Sequence, residues 1–155
     1  MKVSEISNRA LMFREEILQA KLKLNKPEFW YPYSTLSNFE HLENLLGKDS
    51  DLLSEITADG PVLDIGGADG DLAFFLNTLG FSVTALEHAP TNHNGLEGMK
   101  LLNKHFGSPL DIKEADLDAG GTIEGNYSLV YLLGVLYHLK NHQNILRKKE
   151  LYSSL

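Results

Sequence analysis

The stretch "VLDIGGADGDLAFFL", residues 62–76, constrains this chain more than any other. Its first residues read as a buried strand with Asp64 inside it, because an unbroken apolar run is what a strand covered on both faces needs. Three glycines, Gly66, Gly67 and Gly70, then fall within five positions, and a helical pattern starts at once. Each glycine costs conformational entropy on folding, so three in one turn imply that backbone must come very close to something there. A strand, a tight turn and a helix form the first half of a βαβ unit, which leads to a parallel sheet.

The chain after Pro61 keeps this rhythm. "PVLDI" is strand one, and "LAFFLNTLG" is its helix, closed by Gly80. "FSVTALE" is strand two, "NGLEGMKLLNKHFG" a second helix closed by Gly107, "LDIKEAD" strand three and "YSLVYLL" strand four. A final helical stretch runs from about Leu136 to the end. The fold class is therefore α/β, a Rossmann-like parallel sheet with helices on its faces. Before it, residues 3–24 have helical spacing, with Ile6, Ala10, Phe13, Ile17, Ala20 and Leu24 in one apolar stripe that should end before Pro27. "KPEFWYPYS" is an aromatic loop broken by prolines. Ser37 or Asn38 caps a helix "NFEHLENLLG", and "SDLLSEIT" is another short helix. Two parts result: a helical extension with its aromatic loop over 1–58, and an α/β core over 59–155.

In a sheet of this kind ligands bind at the carboxyl ends of the strands, and the glycine turn sits there. A dinucleotide would want G-x-G-x-x-G, but counting from Gly66 the chain has Ala68 and Asp71 where glycines belong. Asp71 at the helix mouth would repel a pyrophosphate, and Asp64 and Asp69 add negative charge, so the turn reads as better suited to a cationic ligand.

"LDIGGADGDLAFFL" resembles motif I of the class I S-adenosylmethionine-dependent methyltransferases, (D/E)-x-G-x-G-x-G, through Asp64, Gly66 and Gly70, with Ala68 in place of the middle glycine. The resemblance implies the strand order 3-2-1-4 and an S-adenosylmethionine site around Asp64, Gly66, Gly67, Ala68 and Gly70. Strand two ends at Glu87, where a carboxylate can accept hydrogen bonds from both ribose hydroxyls. In the resembled family an acidic residue after strand three contacts the adenine amino group; Asp116 holds that place, with Leu117 beside it, and Asp118 or Glu114 takes it if the strand ends a residue or two away. "LLGVLYHLKN" resembles motif IV and the turn after it. "GVLYHL" and "FWYPY" together are similar to the branch that modifies the wobble uridine of transfer RNA, so the acceptor is an RNA or a small molecule.

On the acceptor side, His138 is a candidate general base, with Tyr137 beside it. Trp30, Tyr31 and Tyr33 pack as core or form a lid whose ring faces attract the sulfonium. No histidine spacing suits a metal. Ligand binding without catalysis, and dinucleotide-dependent oxidoreduction, are the alternative functions. The resembled fold has seven strands, whereas only 14 residues follow Asn141, with no strand pattern among them. Strand four is therefore expected at an open edge that pairs with another copy or a partner chain.

Composition fits one domain: 155 residues, 43% of them apolar. No apolar run is long enough for a membrane span, and the N-terminus lacks a signal-peptide core, so the expected compartment is the cytoplasm. The absence of cysteine excludes disulfides and thiolate chemistry. A net charge of −7 argues against a dedicated nucleic-acid-binding domain. Cations cluster at the two ends, however, with Lys2, Arg9, Arg14, Lys21, Lys23 and Lys26 in one group and Arg147, Lys148 and Lys149 in the other.

Overall fold

The computed structural model describes residues 1–24, 28–58, 60–108 and 110–146. Pro27, the cations Lys26, Arg147, Lys148 and Lys149, and the end of the expected final helix lie outside the described residues. The elements are α1 (Val3–Lys23), α2 (Phe39–Leu46), α3 (Leu52–Ala58), β1 (Val62–Ile65), α4 (Asp71–Thr78), β2 (Val83–Glu87), α5 (Glu97–Phe106), β3 (Asp111–Glu114), β4 (Leu129–Tyr131) and α6 (His142–Leu146), with 3-10 turns at Thr35–Asn38 and Leu136–His138. The four strands form one parallel sheet in the order β3-β2-β1-β4. Asp64 stands opposite Ala85 on one side and Tyr131 on the other.

Alternation along the strands separates two cores. Val62, Val83, Ala85 and Tyr131 face a thick layer that includes the buried stripe of α1 and Leu72, Phe74, Phe75 and Leu76 of α4. Leu63, Ile65 and Leu86 face a smaller cluster closed by Ile123, Tyr127 and Ile145. The helix α1 forms because its apolar residues recur every three or four positions: Ile6, Ala10, Phe13, Ile17 and Ala20 are all buried. The Lys2 N–H donates to Glu5 Oε2 at 3.0 Å and caps its start.

Three expected elements are shorter than the sequence suggests. Strand three stops at Glu114, because the Asp116 side chain then folds back to accept the N–H groups of Asp118 and Ala119, each at 3.0 Å. Strand four pairs only over Leu129–Tyr131; among the described residues it is an edge of the sheet, and a short edge offers little ladder to another chain. The stretch from Leu136 is not one helix. After the 3-10 turn Leu139 is extended, and the Lys140 N–H donates to Asp118 Oδ1 at 2.8 Å, tying the chain to the loop after β3 before α6 begins. Among the described residues no helix is long and apolar enough to cross a membrane, and no cluster of histidines and acids could hold a metal.

Candidate active site

A cleft of about 690 Å3 opens at the carboxyl ends of the strands, within the size range of small-molecule sites. Gly66 and Ala68 of the turn form part of its floor. Glu87 and His88 border it from the end of β2, Asp116 and Leu117 from the loop after β3, and Val135 and His138 from the segment after β4. Tyr31 and Tyr33 wall it from the segment before α2.

The three glycines of the turn are demanded by protein neighbours. Gly66 has φ +72°, and a Cβ there would lie 1.9 Å from Val135 Cγ2. A Cβ on Gly67 would come within 2.4 Å of Asp64 Oδ2, and one on Gly70, with φ +87°, within 3.0 Å of Met99 and Phe74. Ala68 stands where the resembled motif has its middle glycine, and it adopts φ +60°, a left-handed conformation that strains an L side chain. Its N–H donates to Glu87 Oε1 at 2.8 Å and its carbonyl accepts from Asn92 Nδ2 at 3.3 Å, so β2 and the following loop hold the strained residue in place.

The turn's acidic residues face the other way. Lys21 of α1 reaches under the turn and places Nζ 2.8 Å from Asp69 Oδ2 and 3.1 Å from Asp71 Oδ1; only 10% of the lysine side chain is exposed. Asp69 also accepts the Tyr31 N–H at 3.0 Å and Asn94 Nδ2 at 2.7 Å. One carboxylate thus joins α1, the aromatic segment and the loop after β2 to the turn. The charge read from sequence as an invitation to a cation is partly offset inside the protein, where one lysine is shared by two of the three carboxylates. Lys21 is buried in these pairs and Lys2 is 3.0 Å from Asp49, so neither contributes a free cation to a basic face. The sequence signal for Lys21 was present: it lies four residues after Ile17 and three before Leu24, within the apolar stripe, where a lysine must find a carboxylate.

Asp64 is the third acid. It is buried on the α1 side of the sheet, and its Oδ2 has no hydrogen-bond partner among the described residues. The hydroxyl of Tyr131, its neighbour across β4, is likewise unpartnered. Burial, then the charges of Glu87 and Asp71, push the Asp64 pKa up to about 7. Burial also raises the pKa of Asp71, against Lys21 and the Ser34 hydroxyl, which favour its charged form. At Glu87 burial again raises the pKa, while the Ala68 N–H, the Asn92 side chain and the His88 N–H hold it down. His88 Nε2 lies 3.8 Å from Asp116 Oδ2 beside the cleft.

The residues singled out from sequence therefore separate into two groups. Gly66, Ala68, Glu87, Asp116, Leu117, His138 and Tyr33 meet at one cleft. Asp64, Gly67 and Gly70 lie behind its floor, and Trp30 is core, edge-on to Phe29 with Lys21 5.6 Å from its ring centre. Tyr137 stands outside the lining, its ring 4.1 Å from that of His138. Sequence reasoning passed over His88, Thr91, His93, Val135 and Lys140, all of which line the cleft. These sit on connections whose path depends on tertiary contacts such as the His93 N–H to Tyr31 hydroxyl bond at 2.8 Å.

Comparison with known proteins agrees with this architecture. A family model described as "Methyltransferase domain" matches residues 38–150, well over half of the chain. No curated protein sequence matches. Among solved structures, the crystal structure of EvdMO1 is similar at 17% identity and a TM-score of 0.49, covering 78% of this chain and 34% of that one. The chain thus spans about a third of that protein's length. With the family match spanning the glycine turn and the four strands of the sheet β3-β2-β1-β4, the chain belongs to the methyltransferase-domain family.

Proposed function

We propose that the chain binds S-adenosylmethionine in this cleft and transfers its methyl group to an acceptor that enters past Tyr33 and His138. The observation that carries the reading is Glu87: it ends β2, borders the same cleft as Gly66 and Ala68, and fixes the turn through the Ala68 N–H. A carboxylate in that place suits the vicinal hydroxyls of a ribose. Ile65, Leu86 and Leu117 offer an apolar surface for an adenine ring, with Asp116 at its edge. The carboxylates of the lining and the face of Tyr31 suit a cation. The residues present therefore fit the cofactor.

When bound, S-adenosylmethionine supplies an electrophilic methyl carbon on a sulfonium. The protein's share is to position the acceptor and exclude water, which suffices for an in-line displacement. Glu87 holds the donor's ribose, and Gly66, whose missing side chain leaves room for Val135, brings backbone to the floor. His138 lines the cleft, and an imidazole there would take a proton from an acceptor that must lose one. Cofactor binding without transfer is the alternative reading, which an assay of methyl transfer separates.

Titration calorimetry with S-adenosylmethionine, S-adenosylhomocysteine and NAD tests the site. The first two bind and NAD does not. Glu87→Ala weakens S-adenosylhomocysteine binding by about 1–3 kcal/mol, the worth of a hydrogen bond to a charged group. Unchanged affinity in a folded Glu87→Ala variant would overturn the assignment. Transfer of a radiolabelled methyl group separates the enzyme from the binder.

A further inference from the structure

The mouth of the cleft is ringed by aromatic side chains from three segments distant in sequence. Tyr31 and Tyr33 meet edge to face with ring centres 5.5 Å apart, and the His93 ring lies 5.4 Å from that of Tyr31. Tyr137 and His138 approach from the segment after β4. Tyr33 and His138 line the same cleft although 105 positions separate them, and the Tyr137 ring lies 4.1 Å from that of His138. Both tyrosines are open to solvent, Tyr33 at 60% and Tyr137 at 79% exposure. Tyr31 is held rigidly, its N–H on Asp69 and its hydroxyl accepting from His93.

Rings left facing water at the entrance of a cleft offer flat apolar area with little rotamer entropy to lose, which suits stacking on another ring. Charge narrows the choice further. Among the described residues, three carboxylates, Glu87, Asp116 and Asp118, border the cleft against one lysine, Lys140. An acidic cleft repels phosphate, and a single lysine gives a nucleic acid strand little of the cationic contact on which its binding depends.

We propose that this mouth is the acceptor subsite and that it takes an uncharged, planar aromatic or heteroaromatic small molecule, stacked on Tyr33 and reaching the Tyr137–His138 ring pair at the rim. The proposal rests on the reading that the methyl donor occupies the inner part of the cleft.

The test uses three probes, 2-naphthol, its saturated counterpart decahydro-2-naphthol, and 2-naphthyl phosphate. Each is titrated into the full chain by calorimetry, free and saturated with S-adenosylhomocysteine. The expected result is that 2-naphthol binds at least fivefold more tightly than either analogue, with or without S-adenosylhomocysteine. Tyr33→Leu and Tyr137→Leu each weaken it at least fivefold and leave S-adenosylhomocysteine affinity within twofold. Leucine keeps apolar bulk at two exposed positions, so the fold is retained. Equal binding of the saturated probe, tighter binding of the phosphate, indifference to both substitutions, or displacement of 2-naphthol by S-adenosylhomocysteine overturns the proposal. Failure of S-adenosylhomocysteine to bind defeats the cofactor reading alone; the ring comparison on the free chain then still decides the subsite.

Discussion

The glycine turn has two sides, and they are built differently. On the side of α1, Asp69 and Asp71 are buried against Lys21 and their charge serves to fasten the N-terminal helix and the aromatic segment. On the side of the cleft, Gly66, Ala68 and Glu87 present backbone and one carboxylate to open space. A run of acids and glycines that looks uniform in sequence therefore divides into a clamp and a floor. The difference teaches that charge near a binding turn says little about the ligand until its partners are known, because a buried carboxylate needs a partner whether or not a ligand exists.

The clamp should carry the larger energy. Lys21→Met leaves two buried carboxylates without their cation, and the chain should lose about 3–5 kcal/mol of stability in urea unfolding. Adding Asp69→Asn and Asp71→Asn should restore part of that loss. A cost below about 1 kcal/mol for Lys21→Met would erase the distinction between the two sides.

Asp64 sharpens the comparison, because it has neither a cation nor the cleft. Between the ordinary carboxylate value of 3.8 and its folded value of about 7, the native chain holds a proton that the unfolded chain has released. Stability should thus be fullest at low pH within this window and fall as pH rises through it, by on the order of 2–4 kcal/mol between pH 5 and pH 8. Glu87, also raised, acts in the same direction. Asp64→Asn should flatten most of that slope in thermal melts taken across the range. An unchanged slope would mean that Asp64 finds a partner in solution.

On the cleft side the effects should be smaller and appear in binding. Glu87→Ala should cost less in stability than Lys21→Met, while it alone of the two weakens S-adenosylhomocysteine. Equal loss of affinity in both variants would make the clamp part of the site. Smallest of all, Ala68→Gly should relieve the left-handed strain and raise stability by about 0.5–1 kcal/mol, read as a higher melting temperature with cofactor affinity kept.

Much of this protein was legible before folding was considered. The α/β order, the sheet's place for a ligand and the roles open to Gly66, Ala68 and Glu87 follow from local pattern: period two or 3.6, glycines at a turn, an acid at a strand end. Residues whose meaning depends on a distant partner were not legible in the same way. Trp30 and Tyr31 are adjacent, yet one is core and the other cleft wall, because Asp69 fixes the backbone between them. Asp116 ends β3 early by capping its own loop, and Asp118 breaks the expected last helix by taking the Lys140 N–H. Lys21 could be flagged from its place on an apolar stripe, but its partners lie 48 and 50 positions away. Sequence alone determined the elements and their order, since backbone preference and apolar periodicity act over a few residues. Tertiary structure alone decided which way each charge points, since a buried charge goes where its counter-charge is, and only the folded chain brings the two together.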